Sequence, residues 1–362
     1  MLEAGPPDWE CEPEGDSAHL EAVLAELPNR PAVYKISLHT GDPYLGRTHV
    51  LRRRLRRLVT QRLAASAARI EAWWTGSQLD ALLTLYALAR RAFPASYRRR
   101  IRLRMPAYIK LILSNPFPRT VVTASLGRSP AVYYGPFRSR AAAERMEGEA
   151  LGLFQIRRCA DDLEPRPDHP GCIYGEMNLC LRPCQQAVSI DEYRHEADRV
   201  AEFFRSGGRS ALDSAVDARE RSSAEMLFEE AAREHKRIEK IEGVLGLRDA
   251  LAADIGRLHG VAITRAPGDG AADLRFVHGG TWQPPIRFET AGGTGVSMDS
   301  RLREAAEGPW TEAHPRERQE HLALLARWFY SSWRDGEWIP FDSFDAIPYR
   351  KLVRAVSRVV RG

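Results

Sequence analysis

Pro31-Ala-Val-Tyr-Lys-Ile-Ser-Leu38, then His39-Thr-Gly-Asp42, Pro43-Tyr-Leu-Gly46-Arg47 and Leu51-Arg-Arg-Arg-Leu55 make up the stretch that decides the fold. Its first eight residues alternate apolar and polar side chains well enough for a strand, and His39-Thr-Gly-Asp42 reads as a turn into a second strand, Pro43–Gly46. From Val50 to Ala65, Leu51, Leu55, Leu58 and Leu63 fall at helical spacing with arginines between them. Ala72-Trp-Trp-Thr75 reads as a third strand. Asp80 to Phe93 reads as a strongly apolar helix ended by Pro94. The order β-β-α-β-α describes a small α/β module over 27–105.

Outward from this module, the acidic, Pro/Gly-rich residues 1–26 read as a disordered tail. Residues 106–206 hold strands ending in Tyr133-Tyr-Gly-Pro-Phe137, a helix from Ser139 to Phe154, a cysteine-bearing segment and an amphipathic helix over 189–205. After Gly207-Gly208 a helical stretch from Ser210 to Leu258, interrupted around Gly243–Gly246, reads as an αα-hairpin over 207–258. Residues 259–362 predict a small mixed α/β domain, with short strands near Phe276-Val-His-Gly-Gly280 and Ile286-Arg-Phe288, then helices over Arg316–Trp333 and Tyr349–Val360. The fold class is therefore α/β, a small module followed by a cysteine-rich segment, a helical hairpin and a mixed terminal domain. No role for 259–362 follows from its residues.

The net charge of +5 hides an uneven distribution: residues 47–62 hold seven arginines and 90–104 seven more, while only five of the 53 basic residues are lysines. Arginines beside tyrosines suit phosphate contact and stacking, and a solvated helix face is the plainer alternative. No apolar run is long enough to cross a bilayer, and the first residues lack the pattern of a secretory signal, so a cytoplasmic address is expected.

Four of the five cysteines, Cys159, Cys172, Cys180 and Cys184, fall within 26 residues at spacings C-x12-C-x7-C-x3-C. In a reducing compartment that grouping favours a metal or cluster over disulfides. Four thiolates can close a zinc shell or hold an iron–sulfur cube, and the irregular spacing, without paired CxxC knuckles, suits a cluster better. Cys11 stands apart from them.

Four features, read in order, resemble the front half of the UvrC family of nucleotide-excision-repair proteins. Ala32-Val33-Tyr34 with Tyr44-Leu45-Gly46-Arg47 resembles the paired strands of GIY-YIG nucleases, and Leu51-Arg-Arg-Arg-Leu55 their arginine-bearing helix. Tyr134-Gly-Pro-Phe137 with Arg140 resembles the segment that follows that nuclease domain. The four cysteines, with Leu179-Cys-Leu-Arg-Pro-Cys184, resemble the family's cysteine region, and Met226-Leu-Phe-Glu-Glu-Ala-Ala232 the UVR motif that docks UvrB. The resemblance implies Tyr44 as candidate base, Tyr34 as its partner, Arg54 on the scissile phosphate and Arg47 as a supporting cation. It also implies a [4Fe–4S] cluster on the four cysteines, zinc being the alternative, and a UvrB-like partner on the 210–258 hairpin. Arg52, Arg53, Arg56 and Arg57 are the expected DNA contacts, within the same arginine-bearing helix.

Phosphodiester hydrolysis needs an activated water, stabilisation of charge on the phosphoryl oxygens and, usually, a divalent metal. Two departures from the family bear on that chemistry. The glutamate that should hold the metal falls in Leu82-Leu-Thr-Leu-Tyr86, which has no carboxylate, and the asparagine expected near Pro94-Ala-Ser-Tyr-Arg98 is absent. Loss of the side-chain anchor argues against bound Mg²⁺ or Mn²⁺. Asp80, a helical turn from Thr84, is the candidate substitute, with Glu71 a poorer one. The residues after the hairpin are too few for the family's second, RNase H-like nuclease and its DNA-binding repeats. Two readings result: a DNA-binding repair protein with a partly degenerate nuclease centre, or an active metal-dependent endonuclease making a single incision.

Overall fold

The computed structural model describes residues 2–13, 17–59, 63, 66–289, 297–307 and 309–361. The described residues form twelve α-helices and three antiparallel sheets, an α/β arrangement divided into two compact units. One unit holds residues 1–104, 259–313 and 327–362, and the other 105–258 and 314–326.

The first sheet contains β1 (Trp9–Cys11), β2 (Ala32–Leu38), β3 (Tyr44–Thr48) and β4 (Ala67–Trp74) in the order β1-β4-β2-β3. Helices α1 (Ser17–Glu26) and α2 (Leu51–Leu58) cover one face. There Leu20, Leu24, Leu51, Leu55 and Leu58 bury against Tyr34, Ile36, Ile70 and Ala72. Helix α3 (Gln78–Ala92) covers the other, with Ala81 and Leu88 against Val33 and Trp73. Strand alternation explains the split: Tyr34 and Ile36 point one way, Val33 and Lys35 the other. The β2–β3 turn needs a left-handed residue, supplied by Gly41 at φ 91°. A short helix, α4 (Tyr97–Arg100), follows α3.

Residues 1–26, expected to be disordered, depart from that expectation in their described part. β1 pairs with β4, placing Trp9 opposite Ala72, and Leu20 and Leu24 of α1 are buried. The acidic composition concealed an apolar i, i+4 pair and a strand able to extend an open sheet edge. Residues 14–16 lie outside the described residues, as do 60–62, 64 and 65 of the helix expected over 50–65.

The second unit is built on β5 (Ala107–Ile112), β6 (Arg119–Thr123), β7 (Ala131–Phe137) and a two-residue strand, β8 (Ala253–Asp254), in the order β6-β5-β7-β8. Helices α5 (Arg140–Leu151) and α7 (Ile190–Arg205) pack on it through Met146, Tyr193, Phe203 and Phe204. Ser139 caps α5, and Ser189 with Glu192 forms a capping box on α7. The cysteine segment, with the one-turn α6 (Ile173–Glu176), lies between them in sequence.

Helices α8 (Arg209–Ala224) and α9 (Phe228–Leu245) form the hairpin. Its turn is not at Gly243–Gly246 but at residues 225–227, where Met226 adopts φ 57°, and α9 stops at Leu245 rather than continuing to Leu258. Gly243 sits inside α9, where an interior glycine is tolerated at a cost of about 1 kcal/mol relative to alanine. The hairpin's apolar residues divide: Ile238 and Ile241 are buried with Ala215, whereas Met226 and Leu227 are exposed.

The third sheet comprises β9 (His259–Arg265), β10 (Ala271–His278), β11 (Thr281–Trp282), β12 (Ile286–Glu289) and β13 (Glu337–Phe341). Here β10 pairs with β9 on one side and with β11 and β12 on the other, and β13 pairs with β9. Helices α10 (Met298–Ala305) and α12 (Tyr349–Arg361) cover the face formed by Val261, Ile263, Leu274 and Phe276. Helix α11 (Pro315–Phe329) precedes β13. This sheet shares its compact unit with residues 1–104, whereas the sequence division kept 259–362 separate.

Candidate functional site

Antiparallel pairing of β2 with β3 sets Tyr34 opposite Gly46 and Ile36 opposite Tyr44, so both tyrosines stand on the face that carries α2. Their rings lie near-parallel with centroids 6.1 Å apart. Tyr34 is buried and Tyr44 is 39% exposed. Gly46 is required by this geometry, because a Cβ there would come within 2.5 Å of the Tyr34 hydroxyl. A glycine opposite a tyrosine on paired strands was the signal in the sequence for that close approach.

Helix α2 buries Leu51, Leu55 and Leu58 on one face and turns its arginines outward. Arg54 donates from Nε to Tyr34 Oη at 3.1 Å and from Nη2 to Tyr44 Oη at 3.4 Å. Burial raises the pKa of Tyr34, opposed by the Arg54 hydrogen bond, so this phenol stays protonated and serves as an anchor. The bond to Tyr34 in turn holds Arg54 above its ordinary value. Tyr34, Tyr44 and Arg54 are thus brought together, with the guanidinium's remaining N–H groups open to an anion.

Arg47 is not part of that triad. Strand alternation turns it to the α3 face, where Nη1 donates to Gln78 Oε1 at 3.3 Å and the guanidinium lies 5.4 Å from the Trp333 ring centre. Among the four arginines expected on DNA, Arg53, Arg56 and Arg57 are exposed, but Arg52 is half-buried and donates to the Leu27 carbonyl at 2.7 Å. Its first task is to tie α2 to the end of α1. In the second arginine block, Arg100 pairs with Asp42 and covers the Phe93 ring at 3.9 Å.

The α3 face around Leu82–Tyr86 is apolar, with Leu82, Leu83 and Tyr86 buried. Neither substitute carboxylate is free. Asp80 lies buried in an ion pair with Arg275 at 2.5 Å and accepts from Gly76 N at 3.3 Å; Glu71 pairs with Lys35 at 2.6 Å. Desolvation nonetheless raises the Asp80 pKa, because burial outweighs the attraction of Arg275. Arg275 lies 195 residues away, and nothing near Asp80 in sequence announced it. Among the described residues no three His, Cys, Asp or Glu side chains are grouped to hold a metal ion.

Cys180 and Cys184 are buried, Cys159 is half-buried and Cys172 exposed. The Cys180 thiol is pushed up to about 11, first by burial, with the other three cysteines adding to the rise. Arg182 N donates to Cys180 Sγ at 3.4 Å, and Arg157 Nη1 lies 3.8 Å from Cys159 Sγ. Backbone and guanidinium N–H groups thus face two of the four sulfurs. At the hairpin turn Met226, Leu227 and Phe228 are exposed in succession, Met226 by 75% and Phe228 by 71%.

Fold and site together define an α/β protein carrying a guanidinium between two phenols near a sheet edge. Residues 107–203 match the family model described as UvrC/Cho excinuclease, middle domain. The chain is 28% identical over 324 residues to UvrABC system protein C of Moorella thermoacetica, a match covering 86% of this chain and 49% of that protein. The corresponding protein of Acetivibrio thermocellus is 27% identical over 300 residues, 79% of this chain and 47% of its own. That of Methanothermobacter thermautotrophicus is 31% identical over 143 residues, 40% of this chain and 24% of its own. No solved structure matches. The chain is UvrC-like over the span of these matches and covers about half the length of the first two relatives.

No helix among the described residues is long and apolar enough to cross a membrane.

Proposed function

We propose that this chain is a DNA-binding protein of nucleotide-excision repair whose GIY-YIG-like centre grips the phosphate backbone but has lost most or all of its cutting power. One observation carries this reading. Arg54 is held ready by Tyr34 and Tyr44, while the helix that should bring a carboxylate offers Leu82–Tyr86, and Asp80 is committed to Arg275. A guanidinium fixed by two phenols can bind a phosphate oxygen without a metal, but activating water and stabilising the leaving oxygen call for one. Arg53, Arg56 and Arg57 extend the same exposed helix face and supply further phosphate contacts.

Cys159, Cys172, Cys180 and Cys184 would hold a [4Fe–4S] cluster, with zinc the alternative, and the bound group would brace the loop between α5 and α7. Anaerobic purification followed by iron, sulfide and zinc determination distinguishes the two, with Cys180→Ser as the control expected to lose whichever is found. The exposed Met226-Leu-Phe228 turn is the surface for a UvrB-like partner, since consecutive apolar side chains in water favour a protein contact.

The decisive experiment is nicking of a defined damaged duplex with Mg²⁺ or Mn²⁺, alone and with UvrA and UvrB, beside Tyr44→Phe. Salt-sensitive binding without cutting is the expected result. Metal-dependent cutting abolished in Tyr44→Phe would instead establish the endonuclease reading.

A further inference from the structure

Across the edge strand from Tyr44 lies a polar cavity of about 260 Å³, lined among others by Arg47, His49, Ser77, Gln78 and Asp335. A relay fixes its hydrogen-bonding character. Arg47 donates to Gln78 Oε1 at 3.3 Å, so the Gln78 amide nitrogen must face His49, whose Nε2 lies 3.1 Å from it. That contact has His49 Nε2 as acceptor, which leaves the ring's N–H on Nδ1. The other N–H groups of Arg47 and the Nδ1–H of His49 are left as donors for a ligand, beside the hydroxyls of Thr48, Thr75 and Ser77.

The charge around the cavity agrees. Among the described residues neither Arg47 nor His49 pairs with a carboxylate, and both are exposed. Asp335, the acidic residue of the lining, uses Oδ2 on Gln78 N at 2.5 Å and Oδ1 on Trp328 Nε1 at 3.2 Å. Trp333 offers Arg47 an aromatic face in place of a counter-ion. Arg327 sits below its ordinary pKa through burial and the nearby charges of Arg47 and Arg104, as expected where cations gather without enough anions.

We propose that Arg47, His49 and Gln78 form a second anion site, braced by Trp333 and Asp335 from the C-terminal segment, and that it takes a phosphate of a DNA backbone passing over the edge strand. This rests on the DNA-binding reading above and gives the C-terminal segment a part in it: Asp335 and Trp333 are positioning residues, acting through Gln78 and Arg47.

The test uses the full chain, a labelled duplex and fluorescence anisotropy across a salt series. Each phosphate contact contributes roughly 0.9 to the slope of log affinity against log salt. Arg47→Gln is expected to lower the slope by about one, so that affinity falls about threefold less than wild type over a fourfold rise in salt. Gln78→Glu, which sets a carboxylate against Arg47, should do the same, and the exposed His49→Gln gives a third variant if either of the others fails to unfold like wild type. Unchanged slopes in properly folded variants, while Arg54→Gln lowers its own, would overturn this site and leave the DNA reading standing. Wild type that does not bind duplex would overturn both. Titration with inorganic phosphate separates the sources: phosphate binding lost in Gln78→Glu, with an unchanged DNA slope, would mark a free-phosphate site and overturn the backbone assignment.

Discussion

Arg54 is positioned by two phenols, and removing one should loosen it measurably. Tyr34→Phe deletes the 3.1 Å acceptor, which is expected to lower stability by about 1 kcal/mol and to weaken duplex binding, read by denaturant titration and anisotropy. Gly46→Ala drives a methyl into the Tyr34 hydroxyl and should destabilise by about 1–3 kcal/mol, as overpacking does. A neutral Gly46→Ala variant would mean that Tyr34 does not lie across β3. Asp80 is tested separately. Asp80→Ala leaves the buried Arg275 with only the longer 3.9 Å contact to Asp273 and is expected to cost about 3 kcal/mol. At this scale Tyr34, Tyr44 and Arg54 were singled out by the resemblance of their strands and helix to the GIY-YIG family, and strand alternation with helical spacing explains why they meet. That Arg47 and Tyr44 diverge follows from the same alternation, since an odd separation along a strand sends two side chains to opposite faces.

Elements differ in how openly they announce themselves. Helix α7 carries its start in Ser189 and Glu192, and α3 in an apolar run ended before Pro94, so both were legible within two residues. The hairpin was not. Gly243 and Gly246 looked like the break, but they sit near the end of α9, and the real turn uses Met226 in a left-handed conformation that its residue type does not advertise. The division of its apolar residues gives paired expectations. Ile241→Ala should cost about 2–5 kcal/mol, since Ile241 is 1% exposed in the hairpin core. Met226→Ser with Phe228→Ser should leave stability within about 0.5 kcal/mol while abolishing capture by a UvrB-like partner. At the other end of the chain, Glu337 of β13 accepts two 2.6 Å hydrogen bonds from Arg358 of α12, and these hold its carboxyl below the ordinary value. A depressed folded pKa contributes stability above the unfolded value that disappears as pH falls through the folded one. Wild type should therefore lose its advantage over Glu337→Gln on acidification below about pH 4.5, and a constant difference across that range would contradict the assignment.

At the scale of the molecule, residues 1–104 share a compact unit with two later segments, and this is what no local pattern revealed. Composition and periodicity report on neighbours in sequence, whereas Asp80 meets Arg275 and Gln78 meets Asp335 at separations of 195 and 257 residues. Buried carboxylates are rare without partners, so Asp80 on an apolar helix was a hint that something distant would cover it. Truncation after Leu258 removes Arg275, Asp335 and the strands that carry them. The shortened protein is expected to be poorly soluble, and calorimetry should show no cooperative transition for its first 104 residues. A 1–258 fragment in which residues 1–104 give their own cooperative transition would contradict this account.

The contact between Gln78 and Asp335 also orders events on the ribosome. The α3 end of the first module is translated early, but the residue that ties down its leading amide is made 257 positions later. Residues 105–258 form most of a self-contained unit and emerge whole in between, so they can close while their predecessor still waits. The earlier-made module is thus finished after the segment that follows it. During synthesis its uncovered helix is the point of greatest exposure to proteases and the natural place for a chaperone to hold on.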